Sequence, residues 1–457
     1  MNPGLSSRAI TFLDSWLRFR SERCDIPGFA VGISHKGEML LEHSYGFATQ
    51  EKGEQLSNDH LFRIASHSKT FAGTALMQLR EREKLDIDKP IVNYLPWLKE
   101  HRNKRMSKIT TRQLLSHSAG VIRDGLDSDY WELDRDFPDA KQLKAELLKA
   151  DLVLDCNRKM KYSNYGYALL GMIVEACSGT SFAAYVQANI IELLDLKNTG
   201  PEYTPAIAER LVSGYARAER ISNRSAMNSR IDTKSMSAAT GFYSNCRDLC
   251  RYFSAHIIGS DLLLDDESKK EMQRTQWKVT NSKYGQEYGL GLQIDYVGNR
   301  RVFGHAGGFP GQASRTLCDP DSGFVVVVLT NAVDADPTGI ARGIYSLLDH
   351  FCANESTNNV EKLARFEGRL MSTFRVNDLL MAGPNKLISL FSNSWQPFCD
   401  DVEELEYVDE NTLKMVKCNG FACEGELVHF NFAPDGSITS VRFGGTTMLP
   451  EKAYLKQ

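Results

Sequence analysis

Phe62-Arg63-Ile64-Ala65-Ser66-His67-Ser68-Lys69-Thr70-Phe71 holds the single Ser-x-x-Lys of this 457-residue chain. Phe71, Ala72, Ala75, Leu76 and Leu79 follow at helical spacing, which predicts a buried amphipathic helix from Thr70 to Leu79. Residues three apart share one face of a helix, so the Lys69 amine reaches the Ser66 hydroxyl from one turn on. Ser66 is then expected near the helix N-terminus, where backbone N–H groups and the dipole favour developing negative charge. A serine beside an amine that can take its proton is a candidate nucleophile with its base. The tetrad alone is common enough to arise by chance, so the rest of the chain decides.

Two further stretches stand downstream. Lys161-Tyr162-Ser163-Asn164-Tyr165-Gly166 places a Tyr-x-Asn 96 residues after Ser66, in a polar loop ahead of an apolar helix expected over Tyr165 to Ala176. Gly304-His305-Ala306-Gly307-Gly308-Phe309-Pro310-Gly311 places a His-x-Gly 143 residues after Tyr162, at the end of an expected strand. Acyl transfer needs a nucleophile, a proton acceptor, a proton donor for the leaving group and donors for the oxyanion. Ser66 supplies the nucleophile, and Lys69 and Tyr162 together supply the proton transfers, with either able to serve as the formal base. Tyr243-Ser244-Asn245 and His35-Lys36-Gly37 repeat two of the patterns but at the wrong distances. Tyr243 is expected to open a turn into a helix and His35 to lie in a hairpin turn.

Around these stretches the texture alternates. Phe29 to Ser34 and Met39 to Tyr45 form a hairpin signal after a first helix, and Arg301 to His305, Ser314 to Cys318 and Gly323 to Leu329 form a matching set. Together they predict one antiparallel sheet. About 70–276 between them predicts a helical insertion, and Thr338 to Phe351 a returning helix. Residues 353–360 are polar and Asn-rich and predict a linker. In 361–457, Thr412 to Val416, Glu426 to Phe432, Ser437 to Phe443 and Thr446 to Leu449 alternate as short strands, which predicts a small β-barrel domain.

Composition excludes several classes. A net charge of -4 gives no long-range pull toward nucleic acid or anionic lipid. No apolar run approaches the ~18 residues that span a bilayer, and Met1 to Arg8 shows no charged region followed by an apolar one, so a cytoplasmic location is expected. The ten cysteines include no Cys-x-x-Cys and no zinc spacing, so neither metal, cofactor nor disulfide framework is expected.

With these motifs in this order and spacing, roughly Ser7 to Leu348 resembles the serine penicillin-recognising family: class C β-lactamases, D-alanyl-D-alanine peptidases, D-aminopeptidases and related esterases. Ile109 to Gly120 and Gly241 to Leu249 look familial as well. The resemblance implies an α+β fold over 1–352, an antiparallel sheet flanked by helices, with 361–457 as a lipocalin-like barrel. It implies that Asn164 orients Lys69 and binds a substrate amide, and that His305 lies across the cleft from Tyr162 and holds Tyr162 or the substrate. Gly307 and Gly308 allow close approach, with the N–H groups of Gly308 and Ser66 as the oxyanion hole. His305 stands where β-lactamases of this kind carry Lys, which argues against efficient β-lactam hydrolysis. The expected activity is amide hydrolysis in small peptides, with a D-residue near the scissile bond. Ester hydrolysis, acyl transfer or cyclisation, and an inactive receptor are the alternatives. The barrel is expected to shape the cleft, to pack, or to join a homo-oligomer.

Overall fold

Phe324–Thr330 is buried at every position in a computed structural model that describes residues 3–219, 224–354, 360–399, 402–420 and 423–456. Its run of valines suits a pleated strand with both faces covered. It is the last of nine strands in one antiparallel sheet: β1 (Gly28–His35), β2 (Glu38–Thr49), β3 (Glu54–Gln55), β4 (Trp277–Lys278), β5 (Glu287–Tyr288), β6 (Gln293–Val297), β7 (Arg300–Phe309), β8 (Gln312–Cys318) and β9 (Phe324–Thr330). The order is β3-β2-β1-β9-β8-β7-β6-β5-β4. Phe29 faces Thr330 and His35 faces Phe324 across β1 and β9, so the early hairpin and the late strands do complete one sheet.

The main helices are α1 (Pro3–Ser21), α2 (Ser68–Glu81), α3 (Asn164–Ser178), α4 (Cys246–Ser254) and α5 (Pro337–Ala353). Every residue of α2 from Ser68 to Leu79 is buried, not one face alone. Buried polar side chains on it find partners inside the protein: Thr70 Oγ1 donates to His67 O (2.8 Å), and Gln78 Nε2 to Asn189 O (3.0 Å). α3 packs against α2. It begins where Ser163 Oγ accepts from Gly166 N (2.8 Å) and ends at Gly179, whose φ of 77° suits only glycine well. α4 lies on β1 and β9; a Cβ on Gly32 would stand 2.8 Å from Cys246 Cβ. Between β3 and β4 the chain is largely helical, crossed by two short ladders, Phe62–Arg63 with Tyr243–Ser244 and Gly214–Tyr215 with Ala226–Met227.

Contacts divide the chain into Asp25–Ala341, which holds the sheet and the insertion, and Met1–Cys24 with Arg342–Gln457. The second unit contains a closed eight-stranded barrel: β10 (Gly368–Met371), β11 (Val376–Gly383), β12 (Lys386–Phe391), β13 (Glu403–Asp409), β14 (Thr412–Lys417), β15 (Leu427–Phe432), β16 (Ile438–Phe443) and β17 (Thr446–Pro450). Phe366, Leu379, Leu387, Leu405, Met415 and Val428 belong to its core. α1 joins this unit through Arg8 and Glu367 (2.8 Å) and through Trp16 set edge-on to Trp395 (5.6 Å). Of the expected linker, 355–359 lie outside the described residues.

Candidate active site

Ser66 sits in a 3-10 turn, Ala65–His67, that leads directly into α2. It therefore precedes the first residue of the helix by two positions, and Lys69 is the second residue of α2. Neighbours pin the turn. Ile64 N donates to Phe242 O (3.0 Å), and Ser68 Oγ donates to Ala65 O (2.5 Å) while accepting from Phe242 N (3.1 Å). Ala65 takes a φ of 46°, a left-handed conformation that costs an L-residue about 1–2 kcal/mol. Such strain persists only where the surroundings over-determine it.

Lys69 Nζ lies 3.1 Å from Ser66 Oγ, 2.8 Å from Asn164 Oδ1 and 2.7 Å from Ala239 O. Asn164 is oriented by its other end, because Nδ2 donates to Asp124 Oδ1 (2.6 Å) and a carboxylate only accepts. Burial pushes Lys69 well below its ordinary value, against the opposing pull of Asp124. A neutral amine has two N–H bonds and one lone pair. The carbonyl oxygens of Asn164 and Ala239 take the two N–H bonds, and the lone pair is left facing Ser66. Tyr162 Oη stands 2.8 Å from the same Ser66 Oγ, and burial raises its phenol above the ordinary tyrosine value, so it is protonated and donates.

His305 lies on β7, fully buried. It is bonded to Tyr288 Oη through Nε2 (3.0 Å) and to its neighbour's carbonyl, Ala306 O, through Nδ1 (2.6 Å). The carbonyl must accept, so Nδ1 carries the proton and Tyr288 donates to Nε2. Tyr288, not Tyr162 or open solvent, is thus the side-chain partner of His305. Burial and the nearby Lys69 hold the imidazole well below its ordinary value, hence neutral. Gly307 brings β7 against the turn that carries Ser66: a Cβ there would stand 2.2 Å from Ile64 O. Past Gly304 the strand is paired with β8 alone. Phe309 and Gln312 flank a two-residue turn, so pairing alternates back along β7 and leaves the N–H groups of Ala306 and Gly308 facing the unpaired side. Ala306 N confirms this by donating to Gln293 Oε1 (3.0 Å).

Three groups escaped sequence reading: Asp124, Tyr288 and His117. Asp124 also accepts from Trp131 Nε1 (3.1 Å) and pairs with Arg123 Nε (3.2 Å). His117 packs on Tyr162 with ring centroids 4.2 Å apart. It lies in the familial stretch Ile109 to Gly120, which was the one available signal. Asn245 of the second Tyr-x-Asn caps α4 by accepting from Asp248 N (3.0 Å). Among the described residues no group of three or more His, Cys, Asp or Glu is placed to hold a metal ion, and no single helix is long and apolar enough to cross a membrane.

Residues 13–349 match the family model described as Beta-lactamase, and the chain belongs to that family of serine hydrolases. Teichoic acid D-alanine hydrolase from Staphylococcus aureus is 27% identical over 187 residues, 41% of this chain and 44% of that protein. The chain spans about two fifths of the length of the curated relatives it matches. Among solved structures, the octameric penicillin-binding protein homologue from Pyrococcus abyssi matches with a TM-score of 0.65 at 21% identity, covering 96% of this chain and 99% of that one. D-stereospecific amidohydrolase from Streptomyces sp. matches with a TM-score of 0.59 at 26% identity, covering 70% and 94%.

Proposed function

We propose that this protein hydrolyses amide bonds of small peptides through an acyl-enzyme on Ser66, with a D-residue beside the scissile bond. The convergence of Lys69 Nζ and Tyr162 Oη on one serine oxygen carries the reading. Ser66 Oγ attacks the carbonyl carbon as its proton passes to the Lys69 lone pair. The ammonium then formed has three N–H bonds for its three oxygen neighbours, so the buried charge is met at once. The N–H groups of Ser66 and Gly308 receive the oxyanion. Tyr162 gives its proton to the leaving amine as the tetrahedral intermediate collapses, and recovers one from Lys69. Water then repeats the sequence on the acyl-enzyme, and Ser66 is released.

The D-preference rests on the names of the relatives, a teichoic acid D-alanine hydrolase and a D-stereospecific amidohydrolase. The neutral, buried His305 supplies no cation for a substrate carboxylate, which supports weak β-lactam turnover. Ten cysteines without a Cys-x-x-Cys pair or a disulfide support a reducing, cytoplasmic setting, and the octameric homologue supports a homo-oligomer, to be read by sedimentation.

Intact-mass analysis after a fluorophosphonate tests the nucleophile. One adduct is expected on the wild type and none on Ser66→Ala; an adduct that survives the substitution overturns it. On D- and L-aminoacyl p-nitroanilides and p-nitrophenyl esters, the D-anilides are expected to lead their L-counterparts by tenfold or more. Turnover of esters alone would assign an esterase instead.

A further inference from the structure

Tyr162 is bracketed by one residue that lies far from it in sequence. Lys161 N donates to His117 O (2.7 Å), and Ser163 N donates to His117 Nδ1 (3.2 Å). Between these two bonds the imidazole packs on the Tyr162 ring at 4.2 Å, tilted by 39°. We propose that His117 is the positioning residue for Tyr162, holding its phenol on Ser66 and shutting water away from it. The proposal rests on the serine-hydrolase reading above.

Two features of His117 show that the fold retains it at a cost. Its φ is 57°, a left-handed conformation that is uncommon outside glycine, although histidine enters it more readily than most side chains. Its backbone is held by His117 N donating to Leu114 O (3.2 Å) and Ser118 N donating to Gln113 O (2.8 Å), just beyond the helix Thr111–Leu115. Since Nδ1 accepts from Ser163, the proton of the neutral ring is on Nε2, and Nε2 is buried with no hydrogen-bond partner. A buried donor left unpaired is unfavourable. A ring kept there despite that is kept for its shape and for Nδ1. The rings of Tyr167 and Tyr288 close the remaining sides at 5.0 and 4.8 Å.

The consequence falls on the Tyr162 proton. The groups facing Tyr162 are Ser66, Lys69, whose Nζ is 4.9 Å from the ring centroid, His117, Tyr167 and Tyr288, with Arg123 and Asp124 acting through space. Burial is the largest influence on the phenol, and the His117 ring is part of what buries it. Opening that side lets water stabilise the phenolate, so the proton is lost at lower pH.

His117→Asn keeps an acceptor close to the Nδ1 position and a residue that accepts left-handed backbone, but removes the ring. His117→Gly removes both. With a D-aminoacyl p-nitroanilide, whose leaving amine needs the Tyr162 proton, kcat is expected to fall about tenfold or more in His117→Asn and further in His117→Gly, with KM within about threefold. The alkaline limb of kcat/KM is expected to move about one pH unit lower in His117→Asn. A merely structural role would lower the folded fraction and leave that limb in place, and an unmoved limb or an unchanged kcat overturns the proposal. In the wild type, nitrogen NMR of labelled histidine is expected to show His117 neutral and protonated on Nε2 from pH 6 to 9. Protonation on Nδ1 overturns the bracket even if neither variant folds. Absence of a fluorophosphonate adduct on wild-type Ser66 would instead overturn the hydrolase reading, which separates the two failures.

Discussion

Asp124 touches neither Ser66 nor Lys69 directly, yet it sets the charge against which Lys69 works. Its carboxylate fixes the Asn164 amide, and its field favours the ammonium that burial disfavours. In the proposed mechanism Lys69 must be neutral to take the Ser66 proton, so activity is expected to rise as pH climbs through the Lys69 titration. Removing the Asp124 charge removes what props that titration up. Asp124→Asn still offers Asn164 an acceptor, so geometry is kept while the field is lost. The acid limb of kcat/KM is therefore expected to move about one pH unit lower, with kcat at the plateau changed by less than about tenfold. The limb belongs to the coupled Lys69 and Tyr162 pair, so it is read from the full profile and not from one pH. A limb displaced upward would mean that Asp124 acts through Arg123 instead.

In the proposed mechanism the strand β7 delivers the oxyanion donor, and Gly307 is where it meets the turn that carries Ser66. A Cβ there would stand 2.2 Å from Ile64 O and 2.4 Å from Ser314 Oγ. The serine can rotate, but the Ile64 carbonyl belongs to the pinned turn, so β7 must move off and take Gly308 with it. Gly307→Ala is expected to lower kcat by about a hundredfold or more and to cost roughly 1–3 kcal/mol of stability, read on the p-nitrophenyl ester and by thermal melting. Activity within twofold of wild type would remove Gly308 from the oxyanion hole. Elements of this kind were legible in the chain where local pattern and burial agree, as in Phe324–Thr330, the early hairpin and α2. The first half of the barrel was not. β13, Glu-Glu-Leu-Glu-Tyr-Val-Asp, carries charge on its outer face, and β11 buries Asn377 and Asp378, the latter paired with Arg369 (2.9 Å). Polar groups buried and satisfied by side chains of neighbouring strands erase the alternation that marks a strand. For the same reason Ser66, Lys69 and Tyr162 could be picked out as a spaced motif, while Asp124 and Tyr288 could not. Each meets its partner only through tertiary folding, and nothing in its own neighbourhood advertises the contact.

Across the whole molecule, the site is embedded in a set of buried, neutral histidines: His67, His117, His256 and His305 are each at most 2% exposed. Burial lowers His67 to about 3 and His256 to about 4, and holds His117 and His305 well below their ordinary value. In the unfolded chain each takes a proton near pH 6.5. Below that pH the unfolded state binds more protons than the native state, so stability falls as pH falls from 6.5 toward the folded values, and above about 7 these groups contribute no slope. Lys69 acts with the same sign over the wide window between its depressed folded value and 10.5. Each histidine contributes up to about 1.4 kcal/mol per pH unit, and carboxylates add their own acid slope, so one histidine must be isolated by substitution. His256 is the one to choose, because it lies away from Ser66, held by Thr74 Oγ1 on Nε2 (2.8 Å) and by Tyr252 O on Nδ1 (3.0 Å). His256→Gln keeps a donor and an acceptor but does not titrate. Urea unfolding between pH 6 and 4.5 is expected to show a slope shallower by about one proton in the variant, with the two curves differing by a constant above pH 7. Equal slopes below pH 6 would mean that His256 is already protonated in the folded protein, and that its burial is relieved by water that reaches Thr74.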